Sequence, residues 1–275
     1  MLDARALLRQ ANLSPKKSFG QNFLVDANVT RAIASACVRD SEIGSARVVE
    51  MGAGLGALTS LLIPRAKHVV AIERDRDLVP ILARAFKDEI AAGTLTLMEA
   101  DAQSVDLAAL LTDGEIRVLC GNLPYQITGR LLERAVHASA RIDRAVFMVQ
   151  REVAERLLAS PGTKTYGALT VFTQAAFDVS RVITVGRGAF HPAPDVTSMV
   201  IALTPCRPPR ARETDSFRAV VKLAFGTRRK TLRNAWSSLG AERVAAAAAA
   251  AGIALDARGE TLDVDAFARM ATALH

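Results

Sequence analysis

Gly121-Asn122-Leu123-Pro124-Tyr125 brings together residue types that can handle an aromatic amine. An exocyclic ring amine is a poor nucleophile, because its lone pair is delocalised into the ring. Acceptors against both of its N–H groups let the nitrogen pyramidalise toward an electrophilic methyl group. The Asn122 side-chain oxygen is one such acceptor. A backbone carbonyl, most simply that of Leu123, is the other. Pro124 stiffens the turn and brings no competing N–H. Tyr125 offers a face on which a flipped-out base can stack. A proline turn with a packed tyrosine is the plainer alternative. The place of the motif, just after an apolar run and downstream of a glycine loop, favours the chemical reading.

That loop is Glu50-Met-Gly-Ala-Gly-Leu-Gly56. Glycines there let backbone approach a ligand closely and leave a helix N-terminus facing it. Gly52, Gly54 and Ala57 also satisfy the relaxed dinucleotide fingerprint, with Glu73 at the distance of a ribose-binding acid. The loop alone therefore admits a dehydrogenase as readily as a methyltransferase. Glu73 and Asp101 end successive strands, where carboxylates can accept from ribose hydroxyls and an adenine amine. A dehydrogenase gives the Asn-Leu-Pro-Tyr motif no role. Phe190, in Ala189-Phe-His-Pro-Ala-Pro-Asp-Val196, is a second aromatic that could stack on the far face of the same base. His191 beside Pro192 reads as structural.

Positioning these groups calls for an α/β fold. Short apolar runs at Arg47–Met51, His68–Glu73, Thr94–Glu99, Arg117–Gly121 and Arg144–Val149 predict buried parallel strands. Helices are expected over Leu55–Pro64, after Asp75 as a cap, and from Thr128. Asp178–Val185 and Thr197–Leu203 predict two further strands with a short connection, hence an antiparallel edge. The Pro/Arg-rich Thr204–Arg212 reads as a linker, followed only by helical patterns: Asp215–Phe225, Arg229–Leu239, the alanine-rich run and Val264–Leu274. The expected domains are 1–206 and 207–275.

The 275 residues carry 35 Lys+Arg against 28 Asp+Glu, a net charge of +7. From Arg207 onward there are 12 Lys+Arg and 7 Asp+Glu, so the helical part holds most of the excess. A basic protein suits a polyanionic partner. Cys37, Cys120 and Cys206 are scattered, which predicts neither a metal site nor a disulfide framework and fits a reducing cytoplasm. Nothing reads as a secretory signal or a membrane span. A monomer is the default expectation.

Taken together these segments resemble the ribosomal RNA adenine N6,N6-dimethyltransferases, most closely the bacterial small-subunit branch. Lys16-Lys-Ser-Phe-Gly-Gln-Asn-Phe-Leu24 looks like the family's N-terminal motif. Met148–Arg156, Tyr166–Leu169, Phe190–Ser198 and Arg228–Asn234 are similar to later family segments. The resemblance implies a Rossmann-like class I methyltransferase domain with a mostly parallel sheet, followed by a small all-α domain. It implies S-adenosylmethionine as cofactor and two adjacent adenosines near the 3′ end of 16S rRNA as substrate, with a part in ribosome biogenesis. It also implies that Asn22 and Leu24 line the cofactor pocket and Gly52 meets the methionine portion. Glu73 would bind the ribose, Asp101 the adenine, and Asn122 and Tyr125 the target base. Lys16, Lys17, Arg228, Arg229, Lys230 and Arg233 read as phosphate contacts, Arg229 and Arg233 one helical turn apart. Large-subunit RNA, or a non-catalytic assembly factor on the same fold, stand as the alternatives.

Overall fold

The computed structural model describes residues 4–16, 19–111, 116–227 and 229–274. The strands are β1 (Phe23–Leu24), β2 (Ala46–Met51), β3 (His68–Glu73), β4 (Leu95–Glu99), β5 (Ile116–Asn122), β6 (Arg144–Gln150), β7 (Phe177–Val185), β8 (Phe190–His191) and β9 (Ser198–Pro205). Seven of them form one sheet in the order β4-β3-β2-β5-β6-β9-β7. The five strands from β4 to β6 pair in parallel, and β9 runs antiparallel to β6. The expected α/β architecture with an antiparallel edge is therefore present.

Strand order explains where a ligand can sit. From β2 the chain builds outward through β3 and β4, then returns to lay β5 and β6 on the other side. Helices leave β2 and β5 in opposite directions, so a crevice opens beyond their carboxyl ends. Met51, Glu73 and Asn122 end β2, β3 and β5. Gly121 makes the close approach of β2 and β5 possible. A Cβ there would lie 2.4 Å from the Met51 carbonyl oxygen.

Strands β2, β3 and β6 are buried on both faces, which accounts for their nearly unbroken apolar runs. The polar exception in β6 is Arg144, 7% exposed, whose guanidinium forms a two-pronged ion pair with Glu42 at 2.8 Å per prong. The Arg144 hydrogen bonds hold the Glu42 carboxyl at about 2, against the push of burial.

Three expected helices differ, and of Arg229–Leu239 only Leu232–Ala235 is α-helical, followed by a 3₁₀ turn at Ser237–Leu239. Leu55–Pro64 contains only a short helix, Thr59–Leu62, because Gly54 and Gly56 keep positive φ and the chain turns through Leu58 first. The helix after β3 starts at Val79, and the Asp75 side chain does not cap it. It accepts instead from the Asp77 N–H and from two residues of the N-terminal segment.

The chain divides into two compact units. The first runs to Ala154 and resumes at Ser180–Pro205; the second joins Glu155–Val179 to everything from Cys206 onward. Glu155–Val179, assigned by the sequence pattern to the first domain, thus packs with the C-terminal helices. In that second unit Tyr166, Phe177, Phe217, Trp236 and Phe267 are the largest fully buried side chains. The Trp236 indole N–H donates to the Val220 carbonyl at 2.8 Å. The alanine-rich run is a helix, Ala241–Ala251, burying Val244, Ala247, Ala248 and Ala251 at helical spacing. No helix among the described residues is long and apolar enough to cross a membrane.

Candidate active site

Two adjoining clefts open at the crevice. The first, about 580 Å³, is lined by the N-terminal segment Phe19–Phe23, by Gly52 and Gly54, by Glu73 and Arg74, and by Asn122 through Tyr125. The second, about 470 Å³, continues past Asn22 and Leu24 to Glu50 and the loop from Gly52 to Leu58.

The glycine loop forms one wall. Gly52 has φ +81°, a conformation that disfavours a side chain, and a Cβ there would point toward the Asn122 carbonyl oxygen 4.0 Å away. The Gly54 N–H donates to Glu73 Oε2 at 2.7 Å and the Asp75 N–H to Glu73 Oε1 at 2.8 Å. These bonds fix the carboxylate at the end of β3. Burial raises the Glu73 carboxyl above its ordinary value, and the backbone N–H groups of Asp75, Gly54 and Arg74 only partly offset it. Glu50, 2% exposed, is pushed up to about 8, chiefly by burial, although the Thr59 hydroxyl donates to it at 2.5 Å. The second cleft is therefore lined by a carboxyl whose ionisation burial opposes.

The opposite wall carries the amine-binding motif. Asn122 Nδ2 donates to the Asn22 carbonyl at 3.0 Å, so the amide is oriented with its donor end committed. No described residue donates to its Oδ1. The Leu123 N–H donates to Met148 at 3.0 Å, and its carbonyl accepts no backbone bond among the described residues. The chain turns at Pro124, whose carbonyl accepts from the Ile127 N–H and the Thr128 hydroxyl, and the helix Thr128–His137 follows. The Tyr125 hydroxyl lies 2.8 Å from the buried Ser198 hydroxyl, which anchors the ring at the cleft edge. Burial raises that phenol despite the Ser198 bond.

The structure thus brings Asn22, Gly52, Glu73, Asn122, Leu123 and Tyr125 around one cleft, with Leu24 in its extension. Asp101 lines neither cleft. It pairs with Arg74 Nη1 at 3.6 Å and accepts from the Gln103 N–H at 2.9 Å. Phe190 lines neither cleft. It is 3% exposed, pairs with Leu24 in the β1–β8 ribbon and belongs to the apolar core under the sheet. Lys16 is no free phosphate contact either, because it bonds to Asp75 at 2.5 Å and Asp77 at 2.6 Å. Arg229 and Lys230 precede the helix Leu232–Ala235, so Arg229 and Arg233 do not share one helix face, although all three are exposed. Lys17 and Arg228 lie outside the described residues.

Residue spacing gave no signal for Arg74, Phe19 or Gln21. Phe19 has the Arg74 guanidinium 4.4 Å and the Lys16 ammonium 5.4 Å from its ring centre. The N-terminal helix Ala4–Gln10 was equally silent, yet its Leu8 joins Phe23, Leu55 and Leu78 in a small buried cluster. That cluster seats the N-terminal segment on the glycine loop.

A parallel sheet with a ligand crevice at the switch between β2 and β5, walled by a glycine loop and an Asn-Leu-Pro-Tyr turn, defines a Rossmann-like methyltransferase. The chain belongs to the ribosomal RNA adenine dimethylase family, whose sequence model matches residues 12–275. It is 41% identical to the ribosomal RNA small subunit methyltransferase A of Geobacter metallireducens, over 97% of this chain and 98% of that one. Its identity to the protein of the same name from Moorella thermoacetica is 44%, over 98% and 96%. Among solved structures it resembles the 23S rRNA methyltransferase ErmE, with a TM-score of 0.67 and 26% identity over 92% and 99% of the two chains. The fold also matches a Plasmodium falciparum dimethyladenosine transferase, with a TM-score of 0.74 and 24% identity over 90% and 95%.

The cofactor of this family is S-adenosylmethionine. The residues present fit it. Gly52 leaves open the space a side chain would fill, and Glu73 supplies a fixed carboxylate for hydroxyl donors. Asn122 lines the same cleft, and no described residue donates to its Oδ1.

Proposed function

We propose that this chain dimethylates the N6 amines of two adjacent adenosines near the 3′ end of 16S rRNA, in the cytoplasm and as a step of ribosome biogenesis. The observation that carries the chemistry is the Asn122 amide, turned by its bond to Asn22 so that the acceptor oxygen is the free end. The 41–44% identity to small-subunit enzymes over nearly the whole chain supports that subunit over the large one.

Bound S-adenosylmethionine supplies an electrophilic methyl group on sulfur. Glu73 would hold the ribose and the Gly52 backbone the methionine end, with Asn22 and Leu24 completing the wall. Asp101 would meet the cofactor adenine once Arg74 releases it. At the target base, Asn122 Oδ1 and the Leu123 carbonyl would accept the two N–H groups and hold the nitrogen lone pair toward the methyl carbon, the thioether product leaving as the S–CH₃ bond breaks and the surplus N6 proton passing to water. Tyr125, anchored on Ser198, supports the ring. Catalysis is positioning and fixed acceptors, without a covalent intermediate. The exposed Arg229, Lys230 and Arg233 would hold phosphates.

The direct test incubates the protein with methyl-labelled S-adenosylmethionine and unmethylated small or large subunits, followed by nucleoside analysis. N6,N6-dimethyladenosine from small subunits alone is the expected result. Label from large subunits moves the substrate, and no label with cofactor binding intact supports a binding factor instead. Asn122→Ala is expected to lower the single-turnover rate about 10²–10³-fold, the loss seen when one fixed charge-stabilising partner is removed. Its cofactor affinity should change far less, and an unchanged rate would remove Asn122 from the mechanism.

A further inference from the structure

We propose that Asp75 is a positioning residue for methyl transfer, acting through Gln21 and Asn22 on the Asn122 amide; this rests on the reading of Asn122 given above. Asp75 is 1% exposed in the connection after β3, yet it carries a charge. Its Oδ1 accepts from Lys16 Nζ at 2.5 Å and from the Asp77 N–H at 3.1 Å. Its Oδ2 accepts from Gln21 Nε2 at 2.7 Å. Gln21 Oε1 accepts in turn from the Lys16 backbone N–H at 2.8 Å, which closes a ring of bonds among three residues through the Lys16 main chain. Burial pushes the Asp75 carboxyl up, but Lys16, the Asp77 N–H and Gln21 outweigh it and hold it below its ordinary value.

An ion pair whose lysine is a third exposed contributes little to net stability, so stability alone gives this arrangement no reason. Geometry does. The next residue after Gln21 is Asn22, and its carbonyl is the acceptor for Asn122 Nδ2 at 3.0 Å. The terminal torsion of an asparagine is broad, and both ends of the amide have nearly the same shape. Among the described residues it is the Asn22 bond that commits the NH₂ end of the Asn122 amide and leaves the oxygen as its free end. A reversed amide would set donors against the donors of the target amine. Asp75 fixes Gln21, Gln21 fixes the position of Asn22, and Asn22 fixes the polarity of Asn122. The Arg74–Phe19 contact at 4.4 Å grips the same segment from the next residue along.

The experiment is a double-mutant cycle on the full-length protein, read as single-turnover methyl transfer to small subunits at saturating S-adenosylmethionine. The variants are Asp75→Asn, Gln21→Met and Asn122→Ala, with each of the first two also combined with Asn122→Ala. Cofactor affinity and Tm are measured alongside. Asp75→Asn and Gln21→Met are each expected to slow transfer about tenfold in the wild-type background and less than about twofold when Asn122 is alanine. Equal slowing in both backgrounds overturns the relay, as does a wild-type rate for the single variants. A slow Asn122→Ala with additive partners refutes the relay alone. An Asn122→Ala that transfers at the wild-type rate refutes the reading of Asn122 and the relay together. Should Asp75→Asn fail to fold, Gln21→Met breaks the same chain at a part-buried side chain and decides the question.

Discussion

Glu42 and Glu50 are both carboxyls removed from water, and their surroundings drive them in opposite directions. Glu42 faces the Arg144 guanidinium and titrates near 2, so its contribution to stability is present above its unfolded value and lost as pH falls through about 2. Glu50 has only a hydroxyl to lean on and titrates near 8. Its folded form is favoured while protonated, and that advantage disappears as pH rises from the unfolded value through about 8. Glu50→Gln should therefore raise Tm at pH 8.5 and leave it nearly unchanged at pH 4.5, as thermal melts of the ligand-free protein at the two values would show. A gain at pH 4.5 as large as that at pH 8.5 would mean that Glu50 is ionised in the fold throughout. Phe190 yields a second expectation. At 3% exposure within the core, Phe190→Ala should cost about 3–5 kcal/mol of stability, whereas Phe190→Leu should retain RNA KM. A raised KM with unchanged Tm in Phe190→Leu would restore the stacking role. Asn122, Glu73 and Gly52 were legible in the sequence because each sits in a short motif at a strand end. Asp75 and Lys16 were not, since their partners lie 59 positions apart and only the folded N-terminal segment joins them.

At the scale of elements, the sheet was the most legible feature. Strands buried on both faces must be continuous apolar runs, and such runs are hard to mistake when glycines and charges bound them. The helix expected over Leu55–Pro64 was overcalled, because an apolar pattern continues through Leu55 and Leu58 while the backbone is still turning. What fixes that turn is positive φ at the glycines, which side-chain periodicity does not report. The β2–β5 contact makes a prediction of its own. In Gly121→Ala the new methyl meets the Met51 carbonyl at 2.4 Å, backbone that cannot step aside without spreading the two strands whose ends wall the cleft. Gly121→Ala should thus weaken cofactor binding at least about tenfold and lower Tm. Gly129→Ala, in a helix with no atom within 4 Å of the added Cβ, should do neither. Calorimetric titration of both variants with S-adenosylmethionine separates a local wedge from general sensitivity to added methyls.

For the molecule as a whole, charge is concentrated where the helices are. The segment from Arg207 onward has 12 Lys+Arg and 7 Asp+Glu, and Arg229, Lys230 and Arg233 all point to solvent. Replacing those three by glutamine should flatten the dependence of RNA affinity on log salt by about 2, with cofactor affinity unchanged. A slope equal to that of the parent protein would place the phosphate contacts elsewhere. The linker was legible from its prolines, but the membership of Glu155–Val179 was not, because a helix pattern records which face is apolar and not which neighbour covers it. That membership has a consequence for how the chain is made. Translation is vectorial, and domains emerging from the ribosome fold as units when their last residue is free. Here the helix Ala168–Ala176 is delivered before Ser180–Pro205, yet its companions, Asp215–Gly226 and Val264–Ala273, are still to come. The nascent chain must finish its methyltransferase sheet while holding Tyr166, Val171 and Phe172 in waiting, until Val264–Ala273 closes a core that opened more than a third of the chain earlier.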